Sequence, residues 1–513
     1  MALQNVFDWL KAHPDLVARD WLVMGKGPSF ARRNQLDISA YAVLALNDTI
    51  RDVKATIAHL IDLEVVDRCA DALEANAQIV VMPYYPHSEC LPGARALPDL
   101  VGEYLVLAKL AASGRLLWYD LDTVPQRSGG PVVAARYFSI EAAVHMLALA
   151  GVHIIRTLGV DGGTAYSEDF AALNAVSRLQ NGHKDYNRQF EGVARVKNEF
   201  GLDLLPLDDE NPVRVYVAAT ASEMLPTKVL AYSIQKHASI NVEVMPLCDA
   251  GIIIPQPQSA ANKARTPFSF QRFLIPQLAG RQGRAIYLDS DMLVFKDIRE
   301  IWFLDMRGAN VVAAYADSKS GRKPQFSVML LDCGKLDWDI NKIVADLDSG
   351  KLTYERLMYN MELAQVRADI GPYWNSLESY TEDTTALLHF TDMNTQPWVS
   401  TRNPHGYLWV RALREAIAKG LITRAYVAEE IEKGHVRPSL LAQLDAGIDD
   451  PLLIPRHMKD MDKSFRAPYH SLQGHLSRPW NSPVVYAKAV LRALYQRTPL
   501  YPLERKIRRR LNG

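Results

Sequence analysis

The chain has 513 residues, 48% apolar and 23% charged, and its 58 basic side chains are balanced by 58 acidic ones. That length suits two or three domains, and the balance gives no electrostatic reason to expect nucleic acid as a partner. Four scattered cysteines, Cys69, Cys90, Cys248 and Cys333, form no CxxC pair, which argues against a zinc ribbon or disulfide framework and suits a reducing cytoplasm. The opening MALQNVFDWLKAHPDLVARD carries acids and no long apolar core, so no signal peptide is expected. No apolar run reaches the length of a membrane span.

Read in chain order, the first half alternates strand and helix. Residues 21–24 form an apolar strand, followed by GKGPSFARR, a glycine-rich loop running into a helix. Strands are predicted over 41–46, 78–82, 115–119 and 153–158, with helices over 140–149 and 185–200. This alternation predicts a mostly parallel, Rossmann-like α/β sheet. The segment PLDDENP at 206–212 combines two prolines with three acids and is the candidate linker. The pattern then restarts with strand VRVYVAAT, a helix over 222–238 and a strand over 241–246. A helix over 269–278 and strands over 310–315, 327–332 and 386–390 follow, and the chain turns helical from about residue 407. The expected organisation is a domain at 1–207, a second α/β domain at 213–415, and a helical, basic region at 416–513.

The segment RAIYLDSDMLVFKD at 284–297 breaks this pattern of apolar strands. Asp289 and Asp291 interrupt what should be a continuous buried strand. Burying unpaired charge costs several kcal/mol, so a compensating cation is expected. Hard carboxylate oxygens suit Mg²⁺ or Mn²⁺, ions that commonly bridge substrate phosphates. The alternative is a surface turn capped by the Asp side chains, but a surface turn has no need of YL before it and MLVF after it.

The order of strand VYVAAT, helix LAYSIQKHA, FSFQRFLIPQL, AIYLDSDMLVFKDIREIW, FSVMLLD and LLHFTDMNTQPW resembles glycosyltransferase family eight, the group of glycogenin, galactinol synthase and lipopolysaccharide galactosyl- and glucosyltransferases. The resemblance covers roughly 213–413. It implies a GT-A fold, a nucleotide-diphosphate sugar donor, usually UDP-linked, and Mn²⁺ (or Mg²⁺) as cofactor. By that resemblance Asp289, Asp291 and His389 hold the metal, and Ala218, Ala219, Thr220, Arg272 and Ser290 meet the nucleotide. Three pieces of the family pattern are altered here, at Gln325, at Asp392 and around Thr353–Glu355. Gln325 and Asp392 are therefore the catalytic candidates. Trp374, Asn375, Glu378, Gln396 and Trp398 are candidates for the sugar and acceptor end, with core packing the alternative for the aromatics.

In the first half, WLVMGKGPSFARR, Asn47 and the GVDGG block resemble the nucleotide-binding opening of bacterial sialyltransferases and of motility-accessory-like proteins. The resemblance implies an N-terminal nucleotide site at Gly25, Gly27, Pro28, Ser29, Asn47 and Asp161. Backbone N–H groups over 25–29 are the candidate phosphate cradle; a plain strand–helix turn using glycine freedom is the alternative.

From Lys463 onward eleven bases face one acid, Glu504, with Trp480, Val484, Tyr486, Val490 and Tyr501 interleaved. An amphipathic helix over 482–497 and the cluster ERKIRRR suit an anionic membrane surface. A solvated helix with a basic tail, or RNA binding, are the alternatives. Together these readings predict a cytoplasmic, peripherally membrane-bound, metal-dependent glycosyltransferase acting on a surface glycan or lipid-linked acceptor. The competing expectations are phosphotransfer or second transferase chemistry in the first half, and a sugar-nucleotide-binding scaffold in the second.

Overall fold

The computed structural model describes residues 3–88, 91–122, 130–175, 185–209, 211–314 and 326–469, and residues 487, 490, 491, 494 and 495. It divides into two compact units, 1–212 with 236–241, and 213–235 with 242–513.

The first unit is built on a parallel sheet. Its strands are β1 (Gln4–Asn5), β2 (Trp21–Met24), β3 (Ala42–Leu46), β4 (Ala55–His59), β5 (Ala77–Pro83), β6 (Leu116–Leu121), β7 (Val132–Val133), β8 (Ile154–Leu158) and β9 (Asp203–Pro206). They lie in the order β1-β6-β5-β4-β3-β2-β8-β9, with β7 beside β6, and every pairing is parallel. Every residue of β2 and β3 is buried, as expected of parallel strands covered on both faces. Helix α1 (Ser139–Leu149) packs on this sheet, and α2 (Gln189–Phe200) ends at Gly201 in the left-handed conformation. Strand β9 reaches into the start of the expected linker. Leu204 and Leu205 pair with Ile155 and Arg156, so Pro206 closes the sheet edge and is not yet linker.

The second unit holds a mixed six-stranded sheet and a small three-stranded one. The larger comprises β10 (Val213–Ala218), β11 (Val242–Pro246), β12 (Arg284–Asp289), β14 (Val311–Ala314), β15 (Val328–Asp332) and β16 (Val366–Ile370) in the order β11-β10-β12-β15-β14-β16. The smaller comprises β13 (Met292–Val294), β17 (Ser376–Leu377) and β18 (Leu387–His389), with β18 in the centre. Helix α3 (Met224–His237) follows β10. The helix expected over 269–278 is a 3₁₀ turn, Gln271–Leu274, running into the four-residue helix Ile275–Leu278. Pro276 lacks an N–H and crowds the carbonyl one turn back.

The helical region expected as a separate piece from 416 is a correction. Helices α4 (Gly406–Ala418), α5 (Arg424–Glu432) and α6 (Ser439–Asp445) contribute Trp409, Val427 and Leu440 to one core with Leu225 and Val229 of α3 and with Leu293 and Leu388 of the small sheet. Their apolar stripes have no other face to cover them. Of the expected tail helix, Ala487, Val490, Leu491, Leu494 and Tyr495 are helical; the rest of 482–497, ERKIRRR and Glu504 lie outside the described residues. Among the described residues no helix is long and apolar enough to cross a membrane.

Candidate active site

The site forms where the two sheets of the second unit meet. β12 pairs with β10, placing Asp289 opposite Ala218. The chain then leaves the large sheet through Ser290 and Asp291 and enters the small one, where Met292 pairs with His389. The Phe390 amide donates to the Asp291 carbonyl at 2.8 Å, fixing that crossing. Asp289 and Asp291, 100 and 98 residues before His389, are thereby brought onto it.

One ligand atom from each of Asp289, Asp291 and His389 lies within 4.8 Å of the others. His389 Nε2 is 3.0 Å from Asp291 Oδ1 and 4.0 Å from Asp289 Oδ2. His389 is buried, and its Nδ1 lies 2.9 Å from Asn375 Oδ1. Donation from Nδ1 to that amide oxygen leaves the Nε2 lone pair facing two carboxylates, an arrangement that a cation satisfies. Asp291 Oδ1 is a buried atom without a hydrogen bond of good geometry. Burial lowers the His389 pKa, but the charge of Asp291 and then of Asp289 outweighs it, and the net shift is upward. A proton on Nε2 is thus the simplest substitute for the metal. Two hard oxygens and one imidazole fit Mn²⁺ or Mg²⁺.

The surrounding side chains hold these ligands. Tyr287 donates its hydroxyl to Asp289 Oδ1 at 2.6 Å. Gln396 Nε2 donates to Asp291 Oδ2 at 3.1 Å and to the Phe390 carbonyl at 3.0 Å. Arg272 is buried over the Tyr287 ring, with Nη2 3.7 Å from Asp289 and Nη1 donating to the Phe326 carbonyl at 2.9 Å. Phe326 has φ of 52°, a strained conformation for a bulky residue.

Several expected contacts take other roles. Arg272, expected to meet the nucleotide with an ion pair the alternative, donates to the Ser269 and Phe326 carbonyls and lies beside Asp289. Asn375 and Gln396, expected at the sugar end, instead orient His389 and Asp291. Trp374 is buried, with its indole N–H on Glu300, and Trp398 packs between Phe390 and Trp409, so both are core residues. Glu378 is buried with φ of 51°; it accepts from the Asp392 amide at 2.7 Å and from Asn403 at 3.3 Å, and burial pushes its carboxyl up to about 7. Its role is to clamp the 391–403 loop. The Asp392 Oδ1 caps its own turn through Asn394. Gln325 lies outside the described residues. Ser290 is buried, with no hydrogen bond to its hydroxyl. Ala219 is locked to Gln271, exchanging bonds of 2.9 and 2.7 Å with its side-chain amide.

Glu223 is a residue the sequence reading missed. It is buried, and burial followed by the charge of Asp291 pushes its carboxyl up to about 8. Its Oε2 accepts from the Thr220 amide at 3.0 Å and hydroxyl at 3.2 Å. The signal was present as Thr220-x-x-Glu223, a capping-box spacing.

In the first unit the expected phosphate cradle is corrected. The Gly25 amide donates to the Leu158 carbonyl, the Gly27 amide to the Gly159 carbonyl and the Ser29 amide to Asp161 Oδ2, at 2.8, 2.7 and 2.7 Å. Ser29 Oγ also donates to Asp161 Oδ1 at 2.6 Å. The glycines serve close approach: a Cβ on Gly25 would lie 2.4 Å from the Gly159 oxygen, and one on Gly27 2.6 Å from Asp161. Pro28 opens the 3₁₀ turn Pro28–Gln35. Asp161 and the Leu158 and Gly159 carbonyls thus tie two loops together and take the amides of Gly25, Gly27 and Ser29. Asn47 has φ of 53°, donates to Ser139 at 3.3 Å, and keeps a buried Oδ1 without a hydrogen bond.

Protein CDI of Arabidopsis thaliana is 34% identical over 95 residues, 18% of this chain and 37% of that protein; the chain thus spans well under half of that relative's length. Among solved structures, the bifunctional glycosyltransferase WbbM in its apo form is 12% identical, with a TM-score of 0.31 over 40% of this chain and 50% of the other. The galactosyltransferase LgtC, in complex with donor and acceptor sugar analogues, is 14% identical, with a TM-score of 0.26 over 48% and 100%. The stretch of residues 233–333, which carries Arg272, Asp289 and Asp291 on the described frame, matches the family model of Glycosyl transferase family 8.

Proposed function

We propose that the second unit is a metal-dependent glycosyltransferase that takes a sugar from a nucleoside-diphosphate donor, with UDP the expected nucleotide. The observation that supports it most directly is the convergence of Asp289, Asp291 and His389 within 4.8 Å at the carboxyl end of a strand inside the family-matched stretch. Mn²⁺ or Mg²⁺ bound there would offset the charge of the departing diphosphate. Asn375 and Gln396 keep the ligands aimed, and Arg272 with Tyr287 holds Asp289 in place. The nucleoside belongs at Thr220, just past the carboxyl end of β10, by the strand-terminus rule for open α/β sheets. Glu378 accepts through both oxygens and Asp392 through Oδ1, and we read neither as a nucleophile. Retention through front-face attack, with the diphosphate taking the acceptor's proton, is the reading consistent with that.

The acceptor we propose is a surface glycan or lipid-linked saccharide, met at the cytoplasmic face of a membrane through the basic tail.

The test for the second unit is Asp291→Asn. It keeps size and removes the charge that the cation needs. Mn²⁺-dependent UDP binding, measured by calorimetry, should fall at least about 10-fold, and the slow Mn²⁺-dependent release of UDP from UDP-sugar should stop. Wild-type-like binding in Asp291→Asn would sink the metal assignment, and UDP binding without any turnover of a donor panel would favour a scaffold.

A further inference from the structure

The end of β10 is already occupied by the chain itself. Tyr469 places its hydroxyl on Thr220 Oγ1, accepts from Ser222 Oγ at 2.9 Å, and reaches Glu223 Oε2 at 3.5 Å. Those three groups are the polar side chains of the turn that follows β10, the place where the nucleoside is proposed to sit. The cavity left between Glu223, Met393, Gln396, Pro468 and Tyr469 holds about 10 Å³. That is room for about one water, whereas ligand pockets run from roughly 300 Å³ upward. A nucleoside cannot enter while Tyr469 stays.

The arm that carries Tyr469 is anchored at Asp462. Asp462 accepts from the Ser439 amide and hydroxyl at 2.8 and 2.6 Å. Ser439 in turn meets the buried Arg437, which donates to the Pro397 carbonyl at 3.0 Å and through its amide to that of Trp398 at 2.8 Å. This anchor sits beside Gln396, the residue bonded to Asp291. Beyond it Lys463, Ser464, Arg466 and Pro468 are exposed and Phe465, Ala467 and Tyr469 half-buried, so movement of 463–469 about Asp462 exposes three partly buried side chains.

We propose that Tyr469 is an autoinhibitory latch: its hydroxyl bonds to Thr220, Ser222 and Glu223 close the nucleoside end of the donor site, and donor binding requires the 463–469 arm to swing out from its anchor at Asp462. This rests on the donor-site reading above. The latch makes donor affinity depend on the state of the chain beyond residue 469. A nucleotide pays for the closed state through the fraction of molecules that are open.

The experiment compares full-length wild type, Tyr469→Phe and Tyr469→Ala by calorimetry with UDP and Mn²⁺, alongside hydrogen exchange of peptides covering 463–469. Tyr469→Phe removes only the hydroxyl and guards against misfolding in Tyr469→Ala. Both variants should bind UDP about 10-fold more tightly than wild type, and UDP with Mn²⁺ should speed exchange of the arm in wild type. Equal or weaker binding in the variants, or slower exchange of the arm with UDP, overturns the latch; weaker binding would make Tyr469 a donor contact. Failure of all three proteins to bind any nucleotide, with the metal still bound, overturns the donor-site reading and the latch with it.

Discussion

His389 Nδ1 and Asn375 Oδ1 are 2.9 Å apart, and this single contact decides which ring nitrogen faces Asp289 and Asp291. An acceptor on Nδ1 forces the proton there and leaves Nε2 as a lone-pair ligand. Asn375→Ala should therefore weaken Mn²⁺ binding roughly 10- to 100-fold with far-ultraviolet circular dichroism unchanged. Unaltered Mn²⁺ affinity by calorimetry would show that the asparagine only packs.

The loop-to-loop contact of the first unit is equally specific. Gly159 has φ of 72°, and a Cβ there would meet the Gly25 oxygen at 2.0 Å. Gly159→Ala adds both strain and a backbone clash, and should destabilise the first unit by about 2–4 kcal/mol in denaturant unfolding. Gly163→Ala, at a similar φ of 67° with open space around it, should cost only about 1 kcal/mol. Equal losses at the two sites would mean that the interlock with Gly25 is not tight.

A pH effect is expected from Glu141. It is fully buried and accepts from the amides of Arg136, Tyr137 and Phe138, yet burial outweighs those bonds and pushes its carboxyl up to about 7. The folded state then holds a proton that the unfolded chain loses above about pH 4.5. Stability tied to this group is fully present below about 4.5 and is lost as pH rises through about 7. The advantage of wild type over Glu141→Gln should shrink by about 2–3 kcal/mol between pH 5 and pH 8. A gap that stays constant over that range would show that Glu141 ionises normally in the fold.

The membrane proposal has its own assay. Leu491 and Leu494 are exposed on helical backbone, in a stretch rich in Arg and Lys. A chain ending at Tyr469 keeps the latch and the anchor but loses this stretch. It should fail to sediment with anionic vesicles, and the full chain should dissociate from them in high salt as charge is screened. Vesicle binding that is the same with and without 470–513 would make the stretch a protein-docking or packing element.

Local sequence determined much of this protein. Trp21–Met24, Ala42–Leu46 and Ile154–Leu158 are strands because short, mostly apolar runs bounded by turn formers fit a sheet buried on both faces. The two acids of the candidate metal site were legible because charge inside an apolar run demands a partner, and Asp289 and Asp291 sit within one; His389 came only from the resemblance of its block to the family pattern. Only the tertiary structure decided what each neighbour does. The glycines of 25–29 read as a phosphate cradle from local sequence, but Leu158, Gly159 and Asp161, more than 130 residues on, take the amides of Gly25, Gly27 and Ser29. Arg272, Asn375 and Gln396 read as substrate contacts because polar residues near a site always do. Their partners Phe326, His389 and Asp291 come from other strands, and no local pattern specifies a hydrogen bond made across two sheets. Tyr469 had no signal at all, because its meeting with Thr220, 249 residues away, exists only once the helices after β18 have packed and turned the chain back onto β10.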